Sequence, residues 1–507
     1  MAKSLFKAVV LVAVFSIITR FLGFIFRIYL SRELGAEMLG IYQIAISVFM
    51  VLVVLVSSGL PLAVSKFTAQ YTVQKNQKAN NSLATGALII GVVLSIILAI
   101  IFYALQNVIG NIFTDFRCME LLIILLPAVI ASAVYSAFRG ALWGKQDYFS
   151  VGWTELAEQV LRILFFVIMI EWVFTASDGA TLAGWSLTAS CVVSAVLVII
   201  VYYKKGGRLA SPKGYFRPVL KSATPVTGVR TASSLIQPVI AVLFPFMLVA
   251  SGVPNETALA LFGVAMGMTF PLLFLPSTLI GSLSFALIPE LSTALAQNQT
   301  KLVEERVKTA LLFAVITSAM IIPFYMGLGP EICELLFANS LSGDYLIGAS
   351  WIMIPLGLSN ITSSVLNAFN LEVKSFINNI AGGICLLLCV FGLTGLLSVY
   401  ALILGFGSCM ALTTVLNIIM IKKRTHIKLG ILRPLVLSAI FTIPCAFLGK
   451  WLYDLSAIVF PNFLALIIGA CVSIGGFILL CMCFKLCDFA FVFSKIKSLP
   501  KFSRKKA

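Results

Sequence analysis

Two arginines lie in a stretch that otherwise reads as a membrane-spanning helix. In KAVVLVAVFSIITRFLGFIFRIYLSRELG, Arg20 falls near the middle and Arg27 follows on the same helical face. A guanidinium at the centre of an inserted helix costs at least ~2.5–3.5 kcal/mol, so it is retained where it meets a wet cavity or a partner. Arginine keeps its proton and grips phosphate through a two-pronged fork. Arg20 and Arg27 are therefore candidate contacts to an anionic substrate. For Arg27, close to the end of its helix, snorkelling to the interface is the alternative.

Two more sets join them. Arg230 lies in PVTGVRTASSLIQP, where Pro225 and Gly228 loosen the helix before it. WTELAEQVLRI puts Glu155, Glu158 and Arg162 on one helical stripe, with Glu158 and Arg162 in the favourable i,i+4 order. That pair either faces a cavity or neutralises itself for insertion. Gln43, Gln237, Asn360 and Asn367 also fall in apolar stretches, where helix–helix hydrogen bonding is the expected role. Nothing reads as a catalytic site: His426 is the lone histidine, in the basic loop KKRTHIK, and no P-loop or metal-ligand spacing occurs. Cys481, Cys483 and Cys487 cluster without a histidine or a paired CxxC. No enzyme activity, cofactor or metal is expected.

The elements that must position these residues follow from composition. The 507 residues are 60% hydrophobic and 11% charged, with a mean hydropathy of +1.07. Soluble domains carry about twice that charge. The pattern predicts an all-α polytopic membrane protein of about fourteen spans, near 7–30, 38–62, 83–106, 119–139, 151–171, 182–203, 222–250, 257–288, 307–329, 346–368, 376–394, 397–421, 434–458 and 462–484. Lys3 and Lys7 precede the first apolar run, which reads as a retained span.

The net charge of +17 sits between spans, which argues for a membrane rather than nucleic acid as partner. Connections after even-numbered spans hold Lys66, Lys75 and Lys78, then Arg139 and Lys145, then the run from Lys204 to Lys221. Further on come Lys301, Arg306 and Lys308, then Lys374, then Lys422, Lys423, Arg424, Lys428 and Arg433. The opposite loops hold few cations beyond Arg32 and Arg117, with acidic Glu33, Glu37, Asp115, Asp178 and Glu256. The bias predicts a multi-pass protein of the bacterial plasma membrane with both termini cytoplasmic.

An internal repeat organises the chain. LGIYQIA (39–45) falls on FGVAMG (262–267), and GLPLAVSKFTAQ (59–70) on SLSFALIPELST (282–293), at an offset of about 223 residues. SAFRGALWGKQDYF (136–149) shadows SSVLNAFNLEVKSF (363–376) at a slightly larger offset. Two pseudo-symmetric six-helix lobes plus two C-terminal helices are expected. They are residues 1–203, a basic linker at 204–221, a second lobe at 222–421, the last two helices with their basic loop at 422–484, and a basic tail at 485–507.

TRFLGFIFRIYLSRELGAEMLGIYQ, RGALWGKQDYF, LAEQVLRI, PVTGVRTASSLIQP and FPLLFLPSTLIGSLSFALIPELSTA together resemble the stage V sporulation protein B-like and MurJ-like flippases. These form part of the polysaccharide-transporter branch of the multidrug/oligosaccharidyl-lipid/polysaccharide exporter superfamily. The resemblance implies a flippase carrying an undecaprenyl-diphosphate-linked, lipid II-like cell-wall precursor outward by alternating access. It places Arg20 on a cavity-lining arginine of helix one, and Arg27 near a second. Where MurJ-like proteins carry an arginine and a glutamate on helix eight, this chain has Met266 and Thr269, and Arg230 could supply a replacement charge. The helices at 434–458 and 462–484 would form a groove for the lipid tail. A lipid-linked oligosaccharide, membrane lipids and cell-wall synthesis enzymes are the implied partners, in a sporulation or vegetative setting. Alternatives are export of a capsule or teichoic-type repeat unit, multidrug/cation antiport, and a non-transporting cell-wall scaffold. Helices one and seven lack the carboxylates an antiporter would want, and a scaffold has no use for Arg20.

Overall fold

The computed structural model describes residues 2–172, 179–425 and 430–486. Asp178, His426, Lys428, Cys487 and the tail cations from Lys495 to Lys506 lie outside the described residues. The regular elements among the described residues are all helices, in the order α1 (Ala2–Ser57), α2 (Leu60–Val73), α3 (Gln77–Ala104), α4 (Gln106–Gly110), α5 (Arg117–Gly144), α6 (Tyr148–Trp172) and α7 (Gly179–Lys204). Then come α8 (Phe216–Ser234), α9 (Ile236–Ala250) and α10 (Asn255–Phe262), a π-helical turn (Gly263–Thr269), α11 (Phe270–Phe274), α12 (Ser277–Ala296) and α13 (Thr300–Phe337). The rest is α14 (Ser340–Ala349), α15 (Met353–Ala368), α16 (Glu372–Leu397), α17 (Val399–Thr425), α18 (Leu432–Ala457) and α19 (Asn462–Cys483).

Among the described residues, 13 helical stretches are long and apolar enough to cross a membrane. The first, Val14–Val73, spans 60 residues, or about 90 Å of helix against a hydrocarbon core of ~30 Å. It therefore needs a break. Gly35 supplies it with φ 71°, ψ 178° inside α1, a conformation that costs glycine little. The 25-residue α6 falls outside the apolar count because Glu155, Glu158 and Arg162 sit in it. The single span expected over 257–288 is instead interrupted: the π turn opens at Gly263, and Pro276 ends the apolar piece before α12. With these adjustments the helices match about fourteen passes.

Polar residues at the break are tied down. Arg117, at the start of α5, donates to Glu37 at 2.5 Å and to Asp115 at 2.8 Å. Burial alone would raise the Asp115 carboxyl, but hydrogen bonds from the Arg117 side chain and amide outweigh it and hold the group below its ordinary range.

By contacts the chain divides into two compact units, Met1–Met268 with Val390–Ser398, and Thr269–Cys389 with Val399–Ala507. The division falls inside the π-helical turn, whereas charge patterning alone places the link at 204–221. In the first unit, α5 packs against α1, α2, α3 and α7, burying Leu122, Leu125, Val129, Phe138 and Leu142. In the second, α13 packs against α14, α15, α18 and α19. A satisfied polar network also joins α15, α16 and α17. There Asn378 donates to Asn417 at 2.9 Å, and Asn417 donates to Thr362 at 3.2 Å.

Inside the first unit the repeat leaves a geometric signature. A Cβ on Gly40 would overlap the Leu259 carbonyl, and one on Gly263 would overlap the Ala36 carbonyl. Residues 36 and 259, like 40 and 263, are repeat mates. Each glycine thus meets the mate of the residue that its own mate meets, which is the reciprocity of a local two-fold contact. Gln43 adds a hydrogen bond at 3.0 Å to the carbonyl of its mate, Met266. Small residues let these backbones touch, as membrane helix packing favours. Gly40→Ala is expected to destabilise the protein by about 1–3 kcal/mol through overpacking. Gly392→Ala, whose Cβ meets nothing within 4 Å, should be neutral or stabilising. Thermal unfolding of the purified variants in detergent checks the contrast.

Candidate functional site

The charged stripe of α6 lines a polar cavity of about 310 Å³ within the first unit. Helix α1 contributes Thr19 and Ser57, α5 contributes Tyr135 and Arg139, α6 contributes Glu155, Glu158 and Gln159, and α7 contributes Cys191. The positioning follows from sequence: Gly23 leaves room for Gln159 beside α1, and Gly152 accommodates the ring of Phe15. The Tyr135 and Thr154 hydroxyls lie 3.0 Å apart and join α5 to α6.

Two ion pairs organise the charges. Arg162 meets Glu158 at 2.8 Å within α6, and Arg139 of α5 meets Glu155 at 2.8 Å. Arg139 also stacks over Trp143, 4.2 Å from its ring centroid. The thiol of Cys191 lies 3.8 Å from Glu158. The four charges cancel, which limits the cost of holding them among apolar helices. Several polar atoms stay open, however. Thr19 Oγ1, Ser57 Oγ, Arg139 Nε and Arg162 Nε are buried without a hydrogen-bond partner. Such groups are satisfied in a working protein by water or a ligand.

The residues singled out in the sequence separate into three situations. Glu158 and Arg162 come together, and Glu158 lines the cavity. Arg20 is exposed on α1, next to the cavity residue Thr19, and engages no hydrogen bond or ion pair among the described residues. Arg27 is half-buried, and both it and Arg162 act electrostatically on the hydroxyl of buried Tyr42. Arg230 is also exposed, but it donates to the Ser58 carbonyl at 3.4 Å and so caps the C-terminal end of α1. It is not among the residues lining the cavity.

The reading of Arg139 as a connection residue is corrected. It lies within α5, which runs on to Gly144, and is half-buried against Glu155. The available signal was Trp143 four residues later, which continues the apolar helix beyond the charge. Met266 is half-buried and Thr269 is buried. The Met266 carbonyl accepts from Gln43, and Thr269 donates to the Ser342 carbonyl at 3.0 Å.

A family model described as polysaccharide biosynthesis protein matches residues 5–295. The chain is similar to stage V sporulation protein B of Bacillus subtilis (strain 168), with 25% identity over 470 residues, 89% of this chain and 90% of that protein. It is also similar to the lipid II flippase MurJ of the same organism, with 22% identity over 486 residues, covering 87% and 88%. Among solved structures it resembles a lipid II flippase MurJ in an inward closed conformation, at a TM-score of 0.71 and 14% identity, covering 94% of this chain and 98% of that one. At that identity the likeness speaks for the fold alone.

The ion pairs generate a test. Glu158→Gln strands Arg162 and is expected to lower stability by roughly 1–3 kcal/mol, less than the 3–5 of a fully buried pair, since the two side chains keep 24% and 20% of their surface exposed. Replacing both members with glutamine should recover most of the loss. If the pair also acts in transport, the double variant regains stability without regaining activity. Thermal unfolding paired with a vesicle transport assay reads both.

Proposed function

The chain belongs to the polysaccharide biosynthesis protein family, and we propose that it is a flippase. It moves an undecaprenyl-diphosphate-linked, lipid II-like cell-wall precursor from the inner to the outer leaflet by alternating access. It acts as a transporter rather than an enzyme, in the bacterial plasma membrane, with both termini cytoplasmic as the charge bias requires.

One observation carries the reading. Glu155 and Glu158, the carboxylates on the charged stripe of α6, already hold Arg139 and Arg162. Arg20 and Arg27 are left with no carboxylate partner among the described residues. A guanidinium held in an apolar helix without an internal counter-ion calls for an anion from outside the protein. A diphosphate matches it in charge and in bidentate geometry. The similarity to a sporulation protein and to a lipid II flippase agrees with such a cargo.

A second reading, export of a capsule or teichoic-type repeat unit, keeps the same diphosphate chemistry and changes the glycan. It is favoured by Met266 and Thr269, which are uncharged where the resemblance expects a charged pair; the Thr269 hydroxyl is spent on the Ser342 carbonyl. Reconstitution with labelled lipid II and, separately, a teichoic-type precursor distinguishes the two. The protein should expose one of them outward, and Arg20→Ala should slow that exposure about 10–100-fold, the worth of one charged hydrogen-bonding contact. Movement of neither lipid, or an unimpaired variant, overturns the proposal.

A further inference from the structure

A cationic concavity lies on the first unit, away from the charge-balanced α6 cavity. It has a volume of about 600 Å³ and is formed where α2 meets the start of α8, with Lys66 and Phe67 on one side and Gly214, Arg217, Lys221 and Ser222 on the other. None of its lining residues is acidic. Lys66, Arg217 and Lys221 are exposed, and none engages an ion pair among the described residues. The nearby cation Lys205, by contrast, is taken up by Asp147 at 3.0 Å.

The local fold keeps the three cations together. Gly214 turns the chain with φ +86°, a conformation that other residues rarely adopt. Tyr71 of α2 then packs edge to face on Tyr215, 6.0 Å between ring centroids. Further along, a Cβ on Gly59 would overlap the Ala223 carbonyl and the Thr227 hydroxyl, so the start of α2 is pressed against α8. The Lys66 ammonium sits 5.7 Å from the Phe67 ring centroid, which holds it beside an apolar surface.

The surroundings indicate what kind of anion fits. Leu62, one turn before Lys66 on the same face of α2, is 41% exposed, and Leu220, between Arg217 and Lys221, is 45% exposed. Cations bordered by exposed leucines at the end of apolar helices match a phosphate head with an acyl or prenyl tail beside it. A soluble anion would make no use of the leucines.

We propose that the Lys66–Arg217–Lys221 pocket binds the phosphate headgroup of a membrane lipid, at a site separate from the helix-one arginines. The shared chemistry is a lipid phosphate, and its source is either a prenyl diphosphate or an anionic phospholipid. The proposal stands on the pocket and does not require the chain to be a flippase.

The test uses the full-length protein in zwitterionic nanodiscs, with added undecaprenyl diphosphate, phosphatidylglycerol or inorganic pyrophosphate, and native mass spectrometry as readout. Combined Lys66→Gln, Arg217→Gln and Lys221→Gln should weaken lipid binding about 100-fold. Lys422→Gln with Lys423→Gln, an equally basic and exposed pair at the end of α17, should leave it unchanged. Loss confined to undecaprenyl diphosphate identifies a prenyl diphosphate site, and loss of both lipids identifies a general lipid phosphate site. Each supports the proposal. Unchanged lipid binding in the triple variant, equal loss in the α17 variant, or pyrophosphate bound as tightly as the lipids overturns it. Outward movement of labelled precursor by the same variants is read separately, so failure of this site leaves the transport proposal standing or falling on its own result.

Discussion

A charge cannot stay among apolar helices without an answer, and the first unit is arranged around that constraint. Water stabilises an ion far better than hydrocarbon does, so each intramembrane charge must be paired, hydrated or bound. Two of the carboxylates on helix α6, Glu155 and Glu158, are met by arginines at 2.8 Å. This pairing makes α1, α5, α6 and α7 converge on a polar cavity instead of an aliphatic core. Arg20 and Arg27 on α1 take no part in this pairing and have no carboxylate partner among the described residues.

Beside the aromatic packing of Phe26 and Tyr29 on Phe166, α1 is held by close backbone approach. Gly40 and Gly263 touch through repeat-related carbonyls, and the π turn begins at the second of them. π turns inside helices are frequent at functional positions. Here the turn contains the Met266 carbonyl that accepts from Gln43. The stretch that carries this reciprocal contact also departs from regular helical geometry.

Much of this was legible in the sequence because it depends on period and charge. Apolar run lengths indicated the helical membrane class, and the spacing of Glu158 and Arg162 announced their pair. The repeat alignment of Gln43 with Met266 became a hydrogen bond in the fold. What escaped the sequence depends on which helices touch. Arg139 read as a connection cation, because nothing local shows that Glu155 lies opposite it. The contact of Arg230 with the Ser58 carbonyl was out of reach too, because the two are 172 positions apart. The interruption near Gly263 was hidden because its residues are as apolar as a continuous span.

The central claim is that Arg20 holds a diphosphate through its guanidinium, and a charge-retaining substitution tests it most directly. The dissociation constant of an undecaprenyl-diphosphate-linked disaccharide would be measured for wild type, Arg20→Lys and Arg20→Gln. All three would carry the Lys66→Gln, Arg217→Gln and Lys221→Gln changes, so that the second pocket does not contribute. Lysine keeps the charge but loses the fork, so the account predicts intermediate affinity for Arg20→Lys and a loss of about 10–100-fold for Arg20→Gln. Equal affinity for Arg20→Gln and its Arg20 parent would contradict the account.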